Sequence, residues 1–166
     1  MNARFKVRRR ENPTILEALS RLFEEGRPPA RLPPGVEVIE RPTVEAVRIK
    51  FKDEIDEDIL TRIAFKEGYK VDVGGFTPRI RDRELIVARV GSKSDLGGRR
   101  DLYIYLFPPE IERLSIYRRA IAARRGIINP KTGKVNLRRL HQFNLKVVRL
   151  VSLYIKERYL NPLRGS

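Results

Sequence analysis

The chain has 166 residues, 41% of them apolar, and its 36 lysines and arginines against 21 aspartates and glutamates give a net charge of +15. That length suits one domain with a real core, and the apolar share is too high for a wholly disordered chain. With no cysteine, disulfides, thiol nucleophiles and cysteine-based zinc or iron–sulfur sites are excluded, and the single histidine, His141, argues against histidine-rich metal sites.

No run approaches the roughly 18 apolar residues of a membrane span, and the start MNARFKVRRR lacks the apolar core of a secretory signal. The expectation is an intracellular protein, cytoplasmic or nucleoid-associated, with no membrane partner. Enrichment in Arg, Lys and Glu, few Gln and no Cys suggest a hyperthermophilic source. Ion-pair networks need balanced signs, however, and an excess of fifteen cations points instead to a polyanionic partner. The excess is uneven. Residues 1–52 carry 12 basic and 7 acidic residues, 53–108 carry 10 and 11, and 109–166 carry 14 and 3.

Three regions of one domain follow from a pass along the chain. Residues 1–35 read as a basic arm, a helix and a connector. The arm holds Arg8, Arg9 and Arg10, with no acid before Glu11. Asn12-Pro13 opens a helix with Ile15, Leu16, Leu19, Leu22 and Phe23 at helical spacing, ended by Gly26. The four prolines of Arg27 to Gly35 make a stiff extended spacer.

Residues 36–108 read as an α+β core. From Val36 the period changes to two, so VEVIE and VEAVRIKF are expected strands. The acids Asp53, Glu54, Asp56, Glu57 and Asp58 complement the dipole of a following helix containing Ile59, Leu60, Ile63, Ala64 and Phe65, with Gly68 placed to end it. YKVDV returns as a strand and completes a strand–helix–strand unit. GGFTPRIRDRE reads as turn-rich. RELIVARV and DLYIYLF are the clearest strands, joined by the long loop GSKSDLGGRR. The sheet expected is small and mixed or antiparallel.

Residues 109–166 read as two basic helices packed on that core. Glu110 to Arg125 is expected as one helix with Ile111, Leu114, Tyr117, Ile121 and Ala122 inward. IINPKTGKVN is a turn or small hairpin. Asn136 to Leu160 is then a long amphipathic helix. Leu137, Leu140, Asn144, Val147, Val148, Val151, Tyr154 and Ile155 share one side, with Arg138, Gln142, Lys146, Arg149 and Lys156 nearly opposite.

Candidate nucleic-acid contacts are therefore the arm (Arg8, Arg9, Arg10), the loop (Lys93, Arg99, Arg100), the first basic helix (Arg118, Arg119, Arg124, Arg125) and the last one (Arg138, Arg139, Lys146, Arg149, Lys156). Arginine predominates, which suits bidentate contact with phosphate. The glycines of GSKSDLGGRR suit a phosphate cradle, but the loop lacks the Gly-Lys-Ser/Thr ending of a nucleotide site and joins two strands. No cofactor is expected. Tyr103, Tyr105 and Phe107 alternate as base-stacking residues do, yet two following helices need a surface to cover, so they are read as core. Asp72, Asp82, Glu84 and Asp101 are the carboxylates a metal-dependent nuclease would use, and the Glu-X-Lys ending of a restriction-type core is missing at Glu84. His141 borders the apolar face, with no Arg, Ser or Cys at a spacing that suggests a triad and no second histidine as co-ligand. Tyr117 and Tyr154 lack the arginine–histidine setting of a recombinase.

The reading is a non-enzymatic, DNA- or RNA-binding protein that contacts mainly the phosphate backbone, as a component of a ribosomal, chromatin or virion assembly. The alternatives are a metal-dependent nuclease and a protein-interaction subunit of a larger complex. The near-neutral middle is compatible with self-assembly.

Overall fold

A computed structural model describes residues 32–39, 45–72 and 77–160. The arm with Arg8, Arg9 and Arg10, the helix expected after Asn12-Pro13 and most of the proline-rich connector lie outside them. The described strands are β1 (Val36–Ile39), β2 (Ala46–Phe51), β3 (Lys70–Asp72), β4 (Arg79–Asp82), β5 (Leu85–Val90) and β6 (Asp101–Tyr105). The α-helices are α1 (Glu57–Lys66), α2 (Ile116–Arg124) and α3 (Leu137–Ile155). The strands form one six-stranded sheet in the order β1-β2-β6-β5-β4-β3, and every neighbouring pair is antiparallel. The class is α+β.

The strand–helix–strand unit is β2–α1–β3, but its strands are not neighbours: β6, β5 and β4 lie between them. The local signals for α1 act as their chemistry dictates. The Asp56 carboxylate accepts from the Ile59 amide at 3.1 Å, Glu57 and Asp58 occupy the first turn, and Gly68 closes the helix at φ 89°.

One face of the sheet carries the core. Cross-strand partners Val47 and Ile104, Ile49 and Leu102, and Val90 and Leu102 are all buried. The α3 residues Leu140, Phe143, Val147, Val148, Leu150, Val151, Tyr154 and Ile155 belong to the same core cluster. Each such side chain contributes about 1.5–3 kcal/mol of burial. The Phe143 ring lies 4.9 Å from that of Phe107, and the Tyr154 ring meets Phe51 edge-on at 5.5 Å. The buried Tyr154 hydroxyl accepts from the Asp56 amide at 2.8 Å, tying the end of α3 to the cap of α1.

A buried polar contact fixes α3 at its middle. Asn144 Oδ1 accepts from the Phe107 amide at 2.8 Å, and its Nδ2 donates to the Phe107 carbonyl at 2.9 Å. The strand has just lost its regular partners there, and the asparagine supplies both missing bonds.

The opposite face is polar and aromatic. Tyr103 faces Arg48 on β2 and Arg89 on β5, and the Arg89 guanidinium lies 4.2 Å above its ring. Arg89 also donates to the Tyr105 hydroxyl at 3.0 Å and pairs with Asp95 at 3.1 Å. Tyr103 is thus buried as expected, but by arginines as well as by the sheet. Phe107 is fully buried against α3.

Four sequence expectations change. The turn-rich segment contains a strand, β4, and Arg83-Glu84 form the two-residue turn to β5 instead of beginning it. The helix expected over Glu110 to Arg125 is broken. A 3-10 turn at Ile111–Arg113 ends at the extended Leu114, and Ser115 caps a new helix by accepting from the Arg118 amide at 3.2 Å. That restart changes the helical phase: Tyr117 is 56% exposed, while Arg118 turns inward at 7% beside Ile121 and Ala122. Leu137, expected inward, is exposed at the first position of α3, where no neighbour covers it, and Phe143 and Leu150 join the buried face instead. The turn before α3 is a small hairpin with a bridge between Ile128 and Val135.

Replacing Asn144 with Ala orphans a buried amide and a buried carbonyl together. Chemical denaturation should show a loss of about 2–4 kcal/mol. A loss below about 0.5 kcal/mol would show that water satisfies Phe107 equally well.

A candidate nucleic-acid interface

Where α2 ends, the chain turns at Gly126 (φ 76°), runs through the hairpin and enters α3 at its cap Asn136. The hairpin is held by its own polar groups. Asn129 Oδ1 accepts from the Lys131 and Thr132 amides, the Asn129 amide donates to the Lys134 carbonyl at 2.8 Å, and the Asn136 amide donates to the Ile127 carbonyl at 2.7 Å. Lys131 and Lys134 are therefore presented from an ordered tip. Arg139, one turn into α3, lies back across Gly126. A methyl group on that glycine would stand 3.2–3.4 Å from the Arg139 guanidinium and Cδ and push them aside by a few tenths of an ångström, and the positive φ itself favours glycine.

Two adjoining clefts result. The outer, about 840 Å³, lies between the end of α2, the hairpin and the start of α3; the inner, about 410 Å³, extends it toward the β4–β5 turn. Arg124, Arg125 and Arg139 line both. Lys131 and Lys134 complete the outer rim, and Arg83 and Lys146 the inner one. Seven cations line the pair of clefts and no aspartate or glutamate does, while Ile127, Ile128, Pro130, Val135 and Phe143 add apolar surface.

Seven like charges in so small a space repel each other. The main compensation is Asp82, buried at the end of β4. It binds Arg125 at 2.7 Å and Lys146 at 3.1 Å, and Arg125 also donates to the Asp82 carbonyl at 2.8 Å. Burial resists ionisation of this carboxyl, but the hydrogen bonds and charges of Arg125 and Lys146 outweigh it and hold the group below the ordinary carboxylate range. The Tyr69 phenol beside it is pushed well up by burial, and further by Asp82 and Glu67, so it stays protonated and donates to the Lys146 carbonyl at 3.0 Å. Glu84 adds a second, exposed pair with Arg124 at 2.9 Å.

The β4–β5 turn carries a further local feature. Arg83 has φ 61°, and among the described residues it is the one non-glycine with positive φ. The first central position of such a turn favours glycine, and another residue there costs about 1–2 kcal/mol.

The fifteen residues singled out in the sequence separate into groups. Arg124, Arg125, Arg139 and Lys146 come together in the clefts. Arg138 and Arg119 lie on the adjoining helices, and Lys156 sits at the far end of α3. Lys93 and Arg100 belong to the β5–β6 loop, and Arg100 lines a separate cleft with Lys50, Lys52 and the segment 33–35. Three others pair with acids of other elements. Arg99 pairs with Glu57 and Glu54 at the start of α1, and Arg149 pairs with Glu67 at 2.9 Å, joining α3 to α1. Arg118 lies buried beside Glu45 at 3.3 Å and over the Phe107 ring at 5.0 Å. Arg8, Arg9 and Arg10 are outside the described residues.

Sequence reasoning passed over Arg83, Lys131 and Lys134. A signal for the two lysines was present, since no aspartate or glutamate occurs between Glu112 and Glu157.

The four candidate nuclease carboxylates do not converge. Asp72 pairs with Arg81, Asp82 with Arg125 and Lys146, and Glu84 with Arg124. Asp101 is buried against Arg48 at 3.1 Å and accepts from the Gly97 amide at 3.1 Å. Among the described residues, no three acids or histidines form a metal-binding group, and no helix is long and apolar enough to cross a membrane.

The Asp82 geometry has a pH consequence. Its folded-state carboxyl titrates below the ordinary value of 3.8, so its stabilising contribution is complete above that value and disappears as pH falls through the lower, folded one. Denaturation midpoints should decline below about pH 4, and Asp82→Asn should flatten that decline; an unaltered acid limb in the variant would remove Asp82 as its cause. No known protein family, curated protein or solved structure matches the chain.

Proposed function

We propose that the protein binds nucleic acid without performing chemistry on it, chiefly through the phosphate backbone, as a component of a nucleoprotein assembly. One observation carries this reading: the adjoining clefts are lined by seven cations and no carboxylate. An ordinary solvated surface mixes both signs, and a concave surface of one sign focuses the field onto a polyanion. The net charge of +15 supports the same partner by raising its rate of encounter.

Supply of cations is not uniform across the interface. Lys131, Lys134 and Arg139 have no carboxylate partner among the described residues, whereas Arg124, Arg125 and Lys146 are each shared with one. The first three are the residues that release counterions from phosphate at least cost to the fold. The apolar surface of Ile128, Pro130 and Val135 beside them accommodates sugar or base edges without reading sequence.

Changing Lys131, Lys134 and Arg139 together to Gln should weaken binding and make the dependence of log K on log salt shallower by about 2 to 3. Gel shifts with duplex DNA, single-stranded DNA and duplex RNA at several salt concentrations would measure both quantities and identify the preferred nucleic acid. Wild-type protein that retards none of them at low salt would overturn the reading.

A further inference from the structure

The turn between β4 and β5 contains an unexplained choice of residue. Asp82 and Leu85 pair across the strands, leaving Arg83 and Glu84 as the two central residues, with Arg83 in the left-handed region at φ 61°. Its backbone is clamped on both sides. The Asp82 carbonyl accepts from Arg125 at 2.8 Å, and the Glu84 carbonyl accepts from the Tyr117 hydroxyl at 3.0 Å. The surroundings therefore impose the conformation, and glycine would adopt it freely.

The Arg83 side chain does nothing visible for the fold in return. It is exposed and has no ion pair among the described residues. It does line the inner cleft together with Arg139, Gln142, Arg125 and Lys146, and Asp82 already shares the charges of the last two. The turn is strained at Arg83, and its guanidinium joins other cations without a carboxylate of its own among the described residues. An anion in the cleft would answer the charge, and the turn that carries the strain would hold the guanidinium in place for it.

We propose that Arg83 is a ligand-binding residue, and that the inner cleft seats one phosphate group of the bound strand between Arg83 and Arg139. This rests on nucleic-acid binding as the function and adds the place where one phosphate is gripped most closely. The β4–β5 turn sets the position of Arg83, and the packing of Arg139 on Gly126 sets that of the other guanidinium. Their forks supply the several N–H donors that a phosphate accepts.

The experiment is Arg83→Gly, read in two ways. Removing the strain should raise the thermal midpoint by about 2–4 °C. Removing the contact should weaken binding of the preferred nucleic acid about 3- to 10-fold and make the salt slope shallower by about one. Arg83→Lys keeps the charge and the strain, so it should retain the salt slope while losing part of the affinity. If wild-type protein binds and Arg83→Gly binds with the same affinity and slope, the assignment of Arg83 is wrong while the broader function stands. If wild-type protein binds no nucleic acid, both fall.

Discussion

The carboxylate of Asp82 faces two cations, and the basic end of the molecule is organised by that inequality. Arg125 comes from the residue after α2, Lys146 from the middle of α3, and Asp82 from the last position of β4. One buried charge thus joins a strand, a helix end and a second helix. It cannot neutralise all that surrounds it. Asp82 and Glu84 together answer seven cleft cations, and the surplus is held in place by structure that hydrophobic packing stabilises elsewhere. A buried carboxylate of this kind is costly to remove because Arg125, itself largely buried, would be left without its carboxylate.

Much of the architecture was legible in the chain. Alternation in VEAVRIKF, the β-branched and aromatic run of DLYIYLF, and the Asp-rich start and Gly68 end of α1 each carry a local physical cause, and each element formed where that cause lay. The long amphipathic α3 was legible for the same reason, although its last five expected residues, Lys156–Leu160, wind as a π-turn. β4 was not, because Arg-Ile-Arg-Asp offers a single apolar residue and owes its strand geometry to neighbours on both sides. The phase of α2 was not legible either. Ser115 restarts the helix after an extended residue, and a periodicity read through that break rotates Arg118 outward and Tyr117 inward. For the clefts, composition announced the excess of charge but not its pairing. Which arginines are paired depends on acids from distant segments, such as Glu67 for Arg149 and Glu45 for Arg118, and no spacing rule connects those positions.

Arginine serves two ends in this fold. On the polar face of the sheet, Arg89 stacks on Tyr103 and binds Tyr105 and Asp95, so a guanidinium takes the place that a covering helix would otherwise fill. Arg118 goes further and is buried with Nε and Nη2 lacking hydrogen-bond partners, its plane set beside Phe107. The planar, weakly hydrated guanidinium tolerates such settings better than a lysine ammonium does. A raw count of basic residues therefore overstates the surface charge at some positions, and cations without a carboxylate partner among the described residues, such as Lys131, Lys134 and Arg139, gather at the clefts.

The pair of hydrogen bonds between Asn144 and Phe107 has a consequence for the last helix. Two bonds to one residue fix both the height and the rotation of α3, since sliding or turning by one residue would lose them together. Arg139 and Lys146 are on that helix, at offsets set by its own geometry. Their backbone positions are consequently set by the fold itself, so in the binding proposed above the entropy given up would be confined to the ends of long side chains.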